Sequence, residues 1–210
     1  MSGIIFSALL ITTLTILTVS APPRVTATGG WLTDTHKREA LKVALGLVPF
    51  AGIAFLWFIG VVRDRVGDLE DRFFSTVFLG SGLLFVAVLF VATALGSATV
   101  ANLELHATGA RSASTISQSR AVSFILIHSY ALRMAGVFTM STATILHRTK
   151  VAPRWLALLG FLVALVLILA VGFSPWLELL FPAWIGLLSV EILRRSIAVP
   201  PPSAVGQLAT

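Results

Sequence analysis

Apolar residues along this chain fall into six long runs that are separated by short polar or charged stretches. The runs cover residues 4–20, 42–62, 73–97, 121–146, 155–171 and 176–193. A helix that crosses the hydrocarbon core of a bilayer needs roughly 17–25 mainly apolar residues, and each run reaches that length. The pattern therefore predicts an all-α integral membrane bundle of six transmembrane helices. We expect residues 1–199 to form one transmembrane helical domain and residues 200–210 to form a flexible, proline-rich tail.

The first run allows a second interpretation, because small residues before Ala21 or Ala27 are compatible with the cleavage site of a signal peptide. Cleavage there would leave five spans. A signal peptide usually begins with a cationic segment, and residues 1–3 supply no positive charge beyond the terminal amine. The pattern therefore favours an uncleaved first span.

Small and aromatic residues within the runs indicate how the helices pack. Gly80, Ser81 and Gly82 interrupt the third run and predict a notch where a neighbouring helix approaches closely. Three tryptophans lie near the predicted helix ends, where aromatic side chains anchor a protein at the membrane interface: Trp57, Trp155 and Trp176.

The composition agrees with lipid as the solvent for this chain. Its residues are 57% hydrophobic and only 11% charged, whereas soluble domains contain about 25% charged residues. The net charge of +6 comes from cations at the ends of the apolar runs. This placement favours anchoring to anionic lipid and gives no reason to expect nucleic-acid binding. The absence of cysteine excludes disulfides, thiolate zinc sites and a cysteine nucleophile.

The distribution of Lys and Arg between the connecting segments indicates the orientation. With the N-terminus inside, the cytoplasmic segments hold Arg63, Arg65, Arg72, Arg148, Lys150, Arg154, Arg194 and Arg195. The outer segments hold Arg24, Lys37, Arg38, Lys42, Arg111 and Arg120. The larger first set, with its two short basic turns, predicts a cell-membrane protein with both termini in the cytoplasm.

The fourth run carries the candidate site, because His128, Ser129, Tyr130 and Arg133 lie near its middle. An ionisable residue inside a membrane is costly and is by default a hypothesis about function. Each helical residue advances about 100°, so Ser129 and Arg133 share one face, with Tyr130 on its flank. We expect this face to point into the bundle. It continues through Gly136, Met140 and Thr144, and the flank that suits lipid carries Phe124, Ile127, Met134, Phe138 and Ile145.

Possible partners for these polar residues are few. His128 lies about 140° from Arg133 by the same geometry, so we expect no direct pair between them. Glu178 lies nearer the level of His128 than of Arg133, and Glu191 is expected to pair with Arg194 or Arg195. Arg133 therefore has no evident carboxylate partner. Three roles stay open for it: anion binding in a cavity, a structural pair with a carboxylate or helix carbonyls, and snorkelling to an interface.

Motifs for enzyme chemistry are absent from the sequence. No second histidine stands at the depth of His128, so no haem or other cofactor is expected. The carboxylates of residues 63–72 alternate with arginines and lack a calcium-loop spacing, which indicates a solvated turn and no metal site. Hydrolase motifs and a phosphate-binding loop are also missing, so we predict no catalytic residues.

We therefore expect a non-enzymatic multi-pass membrane protein whose fourth span binds a small molecule, a lipid or a partner helix. The alternative is a transporter or channel for a small solute or anion that uses Arg133. The candidate ligand-binding residues are Arg133, Ser129, Tyr130, His128 and Glu178. The expected partners are the lipid bilayer and either further copies of the chain or another membrane protein.

Overall fold

The computed structural model describes residues 1–20, 35–66, 72–105, 110–149, 152–169 and 175–198. Seven α-helices make up most of this part of the chain: α1 (Ser2–Ser20), α2 (Thr35–Val66), α3 (Arg72–Leu105), α4 (Ala110–Ile125), α5 (Leu132–Thr149), α6 (Arg154–Leu169) and α7 (Leu180–Ala198). A π-helical segment, Leu126–Ala131, joins α4 to α5, and a 3-10 turn, Pro175–Leu179, precedes α7. The all-α prediction is confirmed. The tail at 200–210 and residues 67–71 of the charged turn lie outside the described residues, and α2 and α3 take up the rest of that turn.

Five stretches of helix are long and apolar enough to cross a membrane. They are Ser2–Ser20, Thr35–Asp64, Ser75–Ala101, Gln118–Thr149 and Trp176–Arg195. The remaining apolar helix, α6, has 16 residues and therefore a length of about 24 Å, somewhat less than the hydrocarbon thickness of about 30 Å. Each of the six predicted runs thus coincides with a helix.

Several helices extend beyond the apolar runs that predict them. α2 begins at Thr35, and α3 continues to Leu105. The polar stretch between the third and fourth runs is therefore mostly helical and not a simple connection, because α4 already begins at Ala110. Hydropathy marks the part of a helix that lies in hydrocarbon, whereas the backbone hydrogen bonds of a helix continue equally well through a polar sequence.

α4, the π segment and α5 form one span, and the six successive spans run in alternating directions, so both described ends of the chain lie at the same end of the bundle. Residues near the start of one helix contact residues near the end of its neighbour: Gly3 meets Phe58 and Ser189, Leu45 meets Gly96, and Gly136 meets Ile168. We call the end that holds Met1, Val66, Arg72, Thr149 and Ala198 the terminal end. The other is the opposite end.

A cluster of phenylalanine rings joins the helices at the centre of the bundle. Phe55 of α2 is fully buried, and its ring centroid lies between 4.6 and 6.2 Å from those of Phe6, Phe58, Phe85, Phe138 and Phe181. Edge-to-face and offset aromatic contacts stabilise a core beyond the apolar area that they bury. Because this cluster includes α1, removal of the first helix would uncover the rings of α2 and α7.

Small residues allow the close approaches that surround this cluster. A Cβ atom added to Gly82 would lie 2.6 Å from Ile59 Cδ1, and Ser81 is buried beside it, which confirms the predicted packing notch at these two residues. On the other side of the bundle, the Trp184 indole Nε1 donates to the Leu156 carbonyl at 3.1 Å. The three tryptophans expected at the interfaces are exposed on the outer surface: Trp57, Trp155 and Trp176.

Candidate functional site

The π-helical segment Leu126–Ala131 contains three of the predicted site residues, namely His128, Ser129 and Tyr130. At its end the Leu132 backbone N–H donates to the Ile127 carbonyl, five residues back. A π segment adds one residue to a helical turn and is frequent at functional sites. Nothing in the pattern of apolar residues signals this insertion, so sequence reasoning missed it.

His128 and Glu178 form a direct pair between the fourth and sixth predicted spans. The His128 Nε2 atom lies 2.7 Å from the Glu178 Oε1 atom. The expectation that Glu178 lies at the level of His128 and not of Arg133 is confirmed. The expectation that His128 and Arg133 do not pair is confirmed as well, because each has another partner.

The other imidazole nitrogen fixes how protons are arranged in this pair. His128 Nδ1 lies 3.0 Å from the Phe124 carbonyl oxygen, and a carbonyl accepts hydrogen bonds but does not donate them. Nδ1 therefore carries a hydrogen, and a single proton lies between Nε2 and Oε1. The pair is neutral as a whole whether that proton belongs to the imidazole or to the carboxyl group.

This neutrality matters because the pair is largely buried. The exposed fractions are 15% for the His128 side chain and 8% for the Glu178 side chain. The Phe124 ring stacks on the imidazole with a centroid separation of 3.7 Å. Buried charges are tolerated when they are paired and hydrogen-bonded, and both conditions hold here.

The depth of the pair follows from the length of the fourth span. Twenty residues separate His128 from Arg148 at the terminal end, which corresponds to about 30 Å of helix. The hydrocarbon core of a bilayer is about 30 Å thick. A bundle held in a bilayer by its basic terminal end therefore carries the pair at the opposite boundary of the hydrocarbon core.

Arg133 lies on the outer surface of the fourth span and not inside the bundle. Its guanidinium Nη1 donates to the Ser129 backbone carbonyl one turn earlier, and the side chain is exposed. Within the part of the chain that the structure describes, it contacts no carboxylate. Ser129 thus contributes its backbone carbonyl as the acceptor for Arg133. Tyr130 is 56% exposed.

The predicted inward direction of the polar stripe is therefore wrong for its two largest side chains, although Gly136 of the same stripe is buried. Arg133 and Met140 face outwards, whereas Phe138 and Ile145, expected to face lipid, are buried. The prediction of the inward face fails because a hydroxyl group on a helix can be satisfied by the backbone of that helix and does not need a polar interior. Thr139 and Thr142 lie on the buried face and donate to the carbonyls of Ala135 and Phe138, four residues back, so they need no polar neighbour.

The Arg133 side chain fits two of its three open roles, because it bonds to a carbonyl of its own helix and also leans towards one end of the bundle. A helical side chain leans towards the N-terminus of its helix, which here means towards the opposite end of the bundle. The guanidinium reaches the level of Ser129, about 28 Å from Arg148. This geometry is that of a snorkelling arginine whose head group lies at the same boundary as the His128–Glu178 pair.

The remaining intramembrane carboxylate has a local partner. Glu191 Oε1 accepts from Arg195 Nε at 2.8 Å, which confirms the expected pairing within the sixth span. Among the described residues, no group of three or more His, Cys, Asp or Glu side chains is arranged to hold a metal ion. The described polar site is thus a two-residue pair with an arginine on the neighbouring outer surface.

No protein-family model, curated protein or solved structure matches this chain. We therefore infer function from the geometry of the described residues alone.

Proposed function

We propose that this chain is a non-enzymatic, multi-pass protein of the cell membrane that binds a small organic cation at the His128–Glu178 pair. The observation that carries the proposal is the 2.7 Å separation of the His128 Nε2 and Glu178 Oε1 atoms, which places a single proton between two largely buried side chains. Such a pair exchanges that proton for another cation without changing the charge that the bundle buries.

The exchange follows from the hydrogen-bonding capacity of each partner. An ionised carboxylate accepts bonds from any N–H donor, so an ammonium group is able to replace the imidazolium on Glu178. His128 then releases its Nε2 proton and stays neutral, with Nδ1 still bonded to the Phe124 carbonyl. One cation enters and one proton leaves, and neither state leaves an unpaired charge at the boundary of the hydrocarbon.

The wider setting of the proposal is a six-span bundle in the lipid bilayer with both termini in the cytoplasm. This orientation places the terminal end, with Arg63, Arg148, Arg154 and Arg194, on the side where positive charge accumulates. The pair then faces the exterior. Further copies of the chain or another membrane protein are the macromolecular partners that we propose, and nucleic acid is not among them.

The alternative of an anion pathway selected by Arg133 receives no support from the exposed position of that side chain. An anion-selecting arginine has to line an interior cavity, and the buried face of α5 carries apolar and small hydroxyl side chains instead.

Calorimetry of the purified protein in detergent tests the proposal. We would titrate butylammonium chloride into the protein in two buffers that differ in ionisation enthalpy, so that proton release is measured together with binding. We expect saturable binding with about one proton released per cation, as the exchange requires, and loss of both signals in Glu178→Gln. Glu191→Gln changes the exposed pair with Arg195 and is the matched control, in which both signals persist.

Two results would overturn the proposal. One is the absence of saturable butylammonium binding in the wild-type protein. The other is binding that survives in a folded Glu178→Gln variant, as judged by an unchanged elution volume and a cooperative melting transition.

A further inference from the structure

A long groove opens on the outer surface between α2 and α3, away from the His128–Glu178 pair. Its volume is about 550 Å³. Apart from Lys42 its lining is almost entirely small or apolar, and several of these residues are exposed, among them Gly46, Pro49, Ala94 and Ser97. Glycine and alanine deepen the groove where they replace larger side chains, so its floor there is formed by backbone and Cβ atoms.

One end of the groove is strongly basic. Lys42 lines it, and Arg38 lies four residues earlier on the same face of α2 that continues through Gly46 and Pro49. The Arg38 Nε atom is buried and has no hydrogen-bond partner among the described residues. Lys42 Nζ lies 3.0 Å from a carboxylate oxygen of Glu39 and adds a second positive charge at this end.

The length and depth of the groove match one leaflet of a bilayer. Its lining on α3 runs from Phe90 to Ala101, which corresponds to about 16 Å of helix. Half of the hydrocarbon core is about 15 Å. Lys42 lies twenty residues from Val62, or about 30 Å, so the basic end stands at the hydrocarbon boundary at the opposite end of the bundle.

We propose that this groove is a binding site for an anionic phospholipid. One acyl chain lies along Gly46, Pro49 and Ala94, and the phosphate accepts hydrogen bonds from Arg38 and Lys42. A guanidinium and an ammonium at headgroup depth complement a lipid phosphate in charge and in donor geometry.

Native mass spectrometry of the protein with added phospholipid tests the site. We would compare phosphatidylglycerol with phosphatidylcholine of the same acyl chains. Ala94→Leu fills the groove with an exposed apolar side chain, and Arg38→Gln with Lys42→Gln removes the basic end. The matched controls are Ala87→Leu and Arg63→Gln, exposed positions on the same two helices outside the groove.

We expect the wild-type protein to retain one phosphatidylglycerol more strongly than phosphatidylcholine. The population with this lipid bound should fall roughly tenfold in the Ala94→Leu variant and in the Arg38→Gln/Lys42→Gln variant, and should persist in both controls. Equal retention of the two lipids, or unchanged retention in the Ala94→Leu variant, would overturn the proposal. Loss of a dimer in Ala94→Leu with lipid binding unchanged would overturn it in favour of a second copy as the occupant.

Discussion

Glu178 has a carboxylate that is almost fully withdrawn from solvent, and His128 pairs with it. The level of this pair was predictable, because the register of two spans follows from counting residues at a fixed rise per residue. The contact itself was not predictable, because it depends on a π segment that adds a residue just where His128 is located.

Removal of one partner is expected to be costly. Glu178→Ala leaves the imidazole buried without its carboxylate, and we expect the free energy of unfolding to fall by about 3 kcal/mol. Glu191→Ala removes the carboxylate of the more exposed pair with Arg195, and we expect a loss below about 1 kcal/mol. Unfolding of both variants in detergent with increasing denaturant would measure the difference. Equal losses in the two variants would contradict the assignment of Glu178 to a buried pair.

Arg133 is predicted to be dispensable for folding. Its guanidinium contacts a carbonyl of its own helix on the exposed face, so Arg133→Leu should change the free energy of unfolding by less than about 0.5 kcal/mol. The measurement is the yield and melting temperature of the purified variant beside the wild type. A marked drop in yield or melting temperature would contradict the exposed placement of Arg133 and would show that its guanidinium stabilises a contact inside the bundle.

At the scale of the helices, the positions of the spans followed from hydropathy alone, since each predicted run coincides with a helix. The inward face of the fourth span did not follow, because the polar side chain of Arg133 does not point to the interior of this bundle. The interior face of this helix carries Phe138 and threonines that bond to their own backbone. Arg133 lies on the outer face, and its long side chain reaches the boundary of the hydrocarbon core. A helical wheel assumes about 100° per residue, so the extra residue of a π segment shifts the predicted faces of the residues that follow it.

Helix contacts at Gly160 offer a test at this scale. A Cβ atom there would lie 2.7 Å from Trp184 Cζ2 and 2.9 Å from Ala143 Cβ, so Gly160→Ala forces α5, α6 and α7 apart. We expect a loss of about 1–3 kcal/mol in the free energy of unfolding. Gly80 has open space around it, and Gly80→Ala should be neutral or stabilise by up to about 1 kcal/mol. Comparing the melting temperatures of the two variants checks the packing, and equal values would contradict it.

At the scale of the whole molecule, the six spans alternate in direction, so both described chain ends lie at one end of the bundle. The His128–Glu178 pair lies towards the other end. The alternation was predictable from six spans with short connections. The central aromatic cluster was not, because phenylalanines from five helices meet there and nothing in a single run predicts which of them share a level. The proposed function and the proposed lipid site both depend on this arrangement in the bilayer.

Cysteine labelling measures that arrangement directly, because the chain has no cysteine of its own. Single variants Asp64→Cys and Arg154→Cys report on the terminal end, and Gln118→Cys and Trp176→Cys report on the opposite end beside Glu178. With a membrane-impermeant maleimide on intact cells, we predict labelling of Gln118→Cys and Trp176→Cys only, with the other two reacting after permeabilisation. Labelling of Trp176→Cys and Asp64→Cys from the same side would contradict the six-span arrangement, and the reversed pattern would contradict the proposed orientation.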